Sequence, residues 1–290
     1  MTIDAHHHFL DPTRNAYPWI DERRRAIDRT FDADDLAPLL AANEIDGTIL
    51  VQTVHDPRET REMLAVATQR PWIAGVVGWI DLTRVDVAEQ LDAVAGLPGG
   101  DRLVGIRHLV QDEADPGWLR RRDVLRGLRA VGDRGLAFDL LLQPRQLPAA
   151  IDAVRSLPTV DFVLDHLAKP PIREGWGAAE MQGWTAGLRA LADSQNVACK
   201  LSGLVTEADW AHWHVDDLRP FVEHALDCFG TERMVFGSDW PVSVLAASYE
   251  RVVEAAERLT AHCSSDERQA IFHENAVRLY SLTAYRQHAD

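Results

Sequence analysis

The sequence lacks the features that mark secreted and membrane-bound proteins. Its 290 residues contain three scattered cysteines, Cys199, Cys228 and Cys263, and no Cys-x-x-Cys pair. An odd, unpaired set of this kind favours reduced thiols over a disulfide framework, so we expect a cytoplasmic protein. No apolar run approaches the ~18 residues of a transmembrane helix, and the first residues, Met-Thr-Ile-Asp, lack the basic and apolar regions of a signal peptide.

Positive charge is also scarce, because 30 basic residues face 45 acidic ones and the formal net charge is −15. Because the chain has no basic stripe, we do not expect it to bind nucleic acid or an anionic membrane. We expect a small-molecule substrate instead. The oligomeric state stays open, a homo-oligomer included. No linker, low-complexity tract or block of like charge divides the chain, so we predict one domain over residues 1–290.

Short apolar segments alternate with segments of helical periodicity along the whole chain. Near-continuous apolar character indicates strands that are buried on both faces, as in a parallel sheet. Eight such units in a chain of this length are typical of a single (β/α)8 TIM-type barrel, which takes ~250 residues plus insertions. The predicted strands are Ile3–His8, Gly47–Gln52, Ile73–Ile80, Leu103–His108, Leu136–Leu142, Asp161–His166, Val197–Gly203 and Arg233–Ser238.

Polar side chains collect at the carboxyl ends of these strands, which meet at one face of a barrel. Strand alternation places His6 and His8 on one face and His7 on the other. The remaining ends carry Gln52, Trp79, Arg107, His108, Asp165, His166, Lys200, Ser202 and Asp239. Charged groups are rarely buried without partners, so this collection favours an active site. The alternative for Asp239 is a cap on the following helix.

Six segments, spread over the chain in order, resemble the amidohydrolase superfamily. They are Asp-Ala-His-His-His-Phe (4–9), Gly-Ile-Arg-His (105–108), Asp-His-Leu-Ala-Lys-Pro (165–170), Lys-Leu-Ser-Gly-Leu (200–204), Gly-Ser-Asp-Trp-Pro (237–241) and Glu-Asn-Ala-Val-Arg-Leu-Tyr (274–280). Within the superfamily the chain is similar to the amidohydrolase-2 group, and most to its sugar-lactonase branch of L-fuconolactonases and L-rhamnonolactonases. The resemblance implies hydrolysis of a sugar lactone.

The sequence departs from the two-metal members of the superfamily, which carry a lysine on strand four and a histidine on strand five. Here strand four ends in Arg107 and His108, and strand five has no histidine, so a binuclear centre is not expected. A single divalent ion such as zinc on His6, His8 and Asp239 stays an alternative. The lactonases that this chain resembles generally do not depend on a metal, so we expect no required cofactor.

Lactone hydrolysis needs a base for water, a group that stabilises the oxyanion, and an acid for the leaving alkoxide. Asp239 is the predicted base and, once protonated, the acid. The side chains predicted to polarise the carbonyl are those of His166, Lys200, His6 and His8. Arg107 and His108 are predicted either to bind substrate oxygens or to serve as salt-bridged struts.

Aromatic residues in the loops suit a sugar-like ring. We predict that the rings of Trp19, Trp79, Trp176 and Trp240 stack on substrate, with Gln52 as a further substrate contact. Two other classes stay open from the sequence alone. One is a metal-dependent amidohydrolase or decarboxylase acting on a small carboxylate, and the other is a non-catalytic sugar-acid binding protein.

Overall fold

The predicted barrel is confirmed. The computed structural model describes residues 1–179 and 181–285, so residue 180 and residues 286–290 of the predicted domain lie outside it. Eight strands form one sheet in which the seven neighbouring pairs follow chain order, and all of these pairs are parallel. The strands are β1 (Ile3–His7), β2 (Gly47–Val51), β3 (Ile73–Gly78), β4 (Leu103–Leu109), β5 (Ala137–Leu141), β6 (Phe162–Leu164), β7 (Val197–Leu201) and β8 (Met234–Phe236).

Helices follow the strands, and most of them cover the outside of the sheet. They are α1 (Ala33–Ala42), α2 (Pro57–Gln69), α3 (Val87–Ala95), α4 (Arg122–Gly132), α5 (Leu147–Ser156), α6 (Met181–Ala192), α7 (Leu204–Glu207), α8 (Val215–Phe229), α9 (Tyr249–Leu259), α10 (Ser265–Gln269) and α11 (Asn275–Leu279). Among the described residues, no helix combines the length and the apolar character that crossing a membrane requires.

The seam between the first and last strands is closed at the carboxyl end of the barrel. The amide of His8 donates to the carbonyl of Trp240 at 2.7 Å, and the amide of Asp239 donates to the carbonyl of His6 at 2.7 Å. Beneath these bonds the hydroxyl of Ser238 donates to the buried carboxylate of Asp4 at 2.6 Å. The bonds that close the barrel therefore also fix the predicted histidines relative to the predicted aspartate.

Apolar side chains pack on both faces of the strands, which explains why the strands are near-continuously apolar in the sequence. Outward-facing residues such as Leu50 and Phe138 join the main core beneath the helices. A second cluster contains Ile49, Val163 and Val235 together with residues of the C-terminal segment, Tyr280 among them. Residues 276–282 thus pack against the bottom of the barrel, and the opposite, carboxyl end is left for a site.

Seven of the eight predicted strands end one or two residues earlier in the structure than in the sequence pattern, and in β6 and β8 this affects the site. β6 stops at Leu164 because residues 166–169 adopt left-handed backbone angles, with φ between 51° and 58°. β8 stops at Phe236, three residues before Asp239, which is itself left-handed with φ 57°. Left-handed residues cannot continue a β ladder. Both predicted site residues therefore lie on turns just beyond their strands.

Candidate active site

The two histidines that β1 turns toward the barrel interior lie in contact, with their Nε2 atoms 3.2 Å apart. His7 faces the other way, as strand alternation predicts, and its Nε2 lies 2.9 Å from the hydroxyl of Thr48. His8 Nδ1 is 2.7 Å from the carbonyl oxygen of Val51 and must donate to it, because a carbonyl only accepts. Burial lowers the pKa of His8 to about 3. The neutral ring therefore presents Nε2 as an acceptor.

Asp239 faces three imidazoles just beyond β8. Its Oδ1 lies 3.8 Å from Nε2 of His6, 3.5 Å from Nε2 of His8 and 3.8 Å from Nε2 of His166. The left-handed backbone costs ~1–2 kcal/mol for a residue with a Cβ, and such strain persists where the surrounding structure imposes it. Burial raises the pKa of Asp239 above its usual value. A carboxylate with a raised pKa is a stronger base.

His166 closes the other side of the site. Its Nδ1 lies 2.8 Å from the hydroxyl of Ser202, and its ring centroid is 4.5 Å from that of His6. Burial lowers the pKa of His166 to about 4, so the ring is neutral near pH 7. Gly203, with φ +65°, makes this placement sterically allowed, because a Cβ there would lie 2.5 Å from His166 Nδ1.

Lys200 was predicted to lie at the carboxyl end of the barrel beside the other site residues, but it lies beneath them. Its ammonium is fully buried, 2.5 Å from Oδ2 of Asp139, 3.1 Å from Oδ1 of Asp165 and 3.1 Å from Nδ1 of His6. The hydroxyl of Tyr280 donates to Asp139 at 2.9 Å from below. Although burial disfavours a charged carboxylate, the positive charge of Lys200 keeps the pKa of Asp165 well below its usual range. Lys200 is held under His6 and does not line the cavity described next.

A cavity of about 380 Å³ opens above these groups at the carboxyl end of the barrel. Its inner wall is formed by His8, Arg107, His166 and Asp239. Further lining residues come from the surrounding loops: Pro18, Trp19, Asp21, Arg24, Thr53, Leu109, Gln111, Asp112, Leu141, Gln143, Lys169, Thr206 and Val242. The lining carries three basic and three acidic side chains, so its charge is balanced.

Arg107 lines this cavity, but its guanidinium is already engaged below it. Nη1 lies 2.9 Å from Oδ2 of Asp165 and 3.2 Å from Nε2 of His6, while Nη2 donates to the carbonyl of Gln52. The side chain of Gln52 in turn donates to the carbonyl of Arg107 at 3.1 Å. Of the two roles predicted for Arg107, these contacts agree with the structural one, in which its guanidinium is held in a salt bridge. Gln52 supports Arg107 from outside the cavity.

His108 belongs to a stack of rings beside the cavity. His55 lies between Trp79 and His108, with centroids 5.4 Å and 3.9 Å away, and Trp118 covers the other face of His108 at 4.2 Å. The indole of Trp79 donates to His108 Nδ1 at 3.2 Å, and His108 Nε2 lies 2.8 Å from Glu113. Both nitrogens of His108 are thus engaged, and neither His108 nor Trp79 lines the cavity.

The tryptophans expected to stack on substrate occupy different environments. Trp19 lines the cavity. Trp240 is buried and packs edge-on against Phe31, with the ring centroids 5.5 Å apart. Trp176 packs edge-on against Trp184 at 6.5 Å. The structure therefore brings one of these four side chains, Trp19, to the cavity.

The pair of histidines and Asp239 fit a single divalent metal ion. One donor atom from each of the three residues lies within 4.8 Å of the other two. The hydrogen bond from His8 Nδ1 to a carbonyl fixes the tautomer that metal-binding histidines adopt. Three protein ligands of this type are typical of catalytic zinc, which keeps a fourth position open.

The barrel, the paired histidines at the end of β1 and the aspartate after β8 define the amidohydrolase class, and the family model for amidohydrolases matches residues 3–282. The chain belongs to this family.

Named relatives lie in one branch of the family, as the motifs indicate. The chain is 40% identical over 250 residues to an L-fucono-1,5-lactonase of Burkholderia ambifaria, covering 85% of this chain and 82% of that protein. It is 38% identical over 289 residues to an L-fucono-1,5-lactonase of Burkholderia multivorans, covering 97% and 96%. A crystal structure of an amidohydrolase from Burkholderia multivorans with bound zinc superimposes with a TM-score of 0.89 at 37% identity, covering 97% and 99%.

Proposed function

We propose that this protein is a lactonase that opens a neutral sugar lactone, L-fucono-1,5-lactone or a close analogue, to the sugar acid. The observation that carries the proposal is the buried Asp239 carboxylate, which faces three imidazoles at the floor of a cavity. Two L-fucono-1,5-lactonases at 38–40% identity support the choice of substrate. The balanced charge of the lining suits an uncharged polyol better than a dicarboxylate, which a cluster of arginines would bind.

In this mechanism Asp239 removes a proton from the attacking water. The water adds to the lactone carbonyl carbon, and the carbonyl oxygen takes up the electron pair. When Ser202 donates its hydroxyl hydrogen to Nδ1 of His166, the Nε2–H of that ring is available to the developing oxyanion. The ring C–O bond then breaks, the alkoxide accepts the proton that Asp239 had taken, and the sugar acid is the product.

Lys200 and Arg107 act through His6 in this proposal. The two side chains approach opposite nitrogens of that ring, Nδ1 at 3.1 Å and Nε2 at 3.2 Å. Burial lowers the pKa of His6 well below its usual value, and a neutral imidazole has one acceptor nitrogen, so one of the two cations donates to the ring and holds it near Asp239 Oδ1. Their two positive charges are matched by the buried carboxylates of Asp139 and Asp165. Fixing the ring in this way preorganises the base, and Lys200 contributes to it from outside the cavity.

A divalent ion, if bound, would be held by His6, His8 and Asp239, and would polarise the lactone carbonyl or a bound water.

A screen of lactones with a pH indicator tests the proposed function. The panel contains the 1,5- and 1,4-lactones of L-fuconate and L-rhamnonate, the D-fuconate lactone as a stereochemical control, and 2-pyrone-4,6-dicarboxylate as a charged lactone. We expect the highest kcat/KM on an L-sugar lactone and a value at least about 100-fold lower on the dicarboxylate, equivalent to ~2.7 kcal/mol. Absence of turnover on every sugar lactone, or a preference for the dicarboxylate, would contradict the proposal.

A further inference from the structure

The chain contains two lysines, Lys169 and Lys200, and both lie next to the candidate active site. Lys200 is fully buried and is paired with Asp139 and Asp165 beneath His6. The Lys169 side chain is 21% exposed and lines the cavity together with His166 and Asp239. The lysine that can reach a bound substrate is therefore Lys169, which was not among the site residues predicted from the sequence.

An unusual backbone turn directs Lys169 into the cavity. Residues 166–169 are four consecutive non-glycine residues with φ between 51° and 58°, and the amide of Lys169 donates to the carbonyl of His166 at 2.8 Å. A turn closed by an i to i+3 bond places its first and last side chains on the same side. The geometry explains why His166 and Lys169 both face the cavity.

The backbone conformation of this turn is energetically unfavourable, and contacts with the rest of the protein stabilise it. A left-handed residue with a Cβ costs ~1–2 kcal/mol, so four in succession are tolerated only where tertiary contacts impose them. The buried indole of Trp184 supplies one such contact by donating to the carbonyl of Leu167 at 2.6 Å. Strain of this kind concentrates at functional sites, and here its consequence is the position of two side chains in the cavity.

The charge of Lys169 acts on the groups around it. Burial raises the pKa of Asp239 and of Asp112, and the positive charge of Lys169 opposes both rises. Its ammonium also lies 3.3 Å from a carboxylate oxygen of Glu207, the last residue of α7. A single, partly exposed ion pair leaves the remaining two N–H donors of the ammonium for another partner.

We propose that Lys169 is a catalytic residue that contacts the bound lactone and stabilises the negative charge that develops during water attack, with Glu207 positioning it. This assignment rests on the proposed function of the site. It gives the site a cation that can touch substrate, a role that Lys200 cannot fill from beneath His6.

Amine acetylation tests the assignment in the wild-type protein. The N-terminal amine and Lys169 are the accessible targets, because Lys200 is buried. We expect acetylation of Lys169, located by peptide mapping, to remove activity in proportion to its extent, and the product sugar acid to protect both Lys169 and activity. The variant Lys169→Arg should keep its activity under the same treatment. Fully acetylated Lys169 with unchanged turnover would overturn the assignment.

Variants supply the second test. We expect Lys169→Met to lower kcat/KM at least ~100-fold, the loss typical of removing one oxyanion-stabilising group. Lys169→Arg should retain more activity because it keeps the charge, and Glu207→Gln should fall between wild type and Lys169→Met. Arg155→Met is the matched control, since it removes a surface cation 3.9 Å from Asp193 and should leave kcat/KM unchanged. Melting temperatures confirm that each variant is folded.

The outcomes separate the two proposals. An active wild type with a Lys169→Met variant that keeps more than about a third of kcat/KM would overturn the role of Lys169 alone. A wild type that opens none of the lactones in the panel would contradict the proposed function, and with it the role of Lys169.

Discussion

The ammonium nitrogen of Lys200 lies 3.1 Å from Nδ1 of His6, deep beneath the cavity floor. The contact joins β7 to β1 across the barrel interior and ties a buried cation to an imidazole that faces Asp239. Two carboxylates, Asp139 and Asp165, compensate the charge of Lys200. The site is therefore built in two layers, with reacting groups above and a charge-balanced support below.

Removing the charge of Lys200 should destabilise the protein strongly. Lys200→Met leaves two fully buried carboxylates without their shared cation, and breaking a buried ion pair in this way costs ~3–5 kcal/mol. Tyr280→Phe, which removes one hydrogen bond to Asp139, should cost ~1 kcal/mol. Urea unfolding measures both free energies of unfolding. A Lys200→Met variant as stable as wild type would contradict the two-layer account.

The pH profile of kcat/KM should show an acid limb and then a plateau. The base must be ionised, so activity should rise as the pH increases through the raised pKa of Asp239. The pKa values of His166, about 4, and His8, about 3, keep both rings neutral from about pH 6 to 8. We therefore expect these two histidines to add no limb of their own in that range, measured after subtraction of spontaneous lactone hydrolysis. A bell-shaped profile, with one limb whose midpoint lies near pH 6.5, would instead indicate that a histidine changes its charge during catalysis.

Hydrolysis should persist after exhaustive chelation. Arg107 and Lys200 already place two positive charges against His6, so orienting this ring does not require an ion. The assay compares kcat before and after EDTA treatment, with the metal content of the same samples measured by elemental analysis. Loss of turnover that zinc or manganese restores would show that His6, His8 and Asp239 work as a metal site.

Trp19 and Trp79 provide a matched pair for substrate binding. Trp19 lines the cavity, whereas Trp79 is engaged with His55 and His108 outside it. We expect Trp19→Ala to raise KM about tenfold, equivalent to ~1.4 kcal/mol of lost contact, with little change in kcat. Trp79→Ala should lower the melting temperature and leave KM within about twofold of the wild-type value. The reverse pattern of KM changes would place the substrate on the ring stack instead.

Strand periodicity predicts the barrel and the strand ends well, because alternating buried strands and helices leave few other folds. It does not predict how far below the cavity each side chain lies. Lys200 and His166 both stand at strand ends in the sequence, yet the extended backbone of β7 leaves Lys200 below His6, while a left-handed turn lifts His166 to the cavity. No glycine marks that turn, so the sequence carries no conventional signal for it, and Lys169 was missed for the same reason.

Side-chain partners account for the other differences. His108 and Trp79 follow polar and aromatic patterns suited to binding, but they bond to each other. Trp240 directly follows the proposed base and turns into the core instead. The position of such residues in the sequence predicts that they lie near a site. Which of their side chains face the site depends on how they pack, and the sequence pattern does not show this.

The most direct test of the account is kcat of Asp239→Asn on the best sugar lactone. Asparagine keeps the shape of the side chain and removes the base, so we expect kcat to fall ~10²- to 10⁴-fold with little change in KM. Circular dichroism and the melting temperature would verify that the variant is folded. A folded Asp239→Asn variant that retains most of its kcat would contradict the assignment of Asp239 as the base.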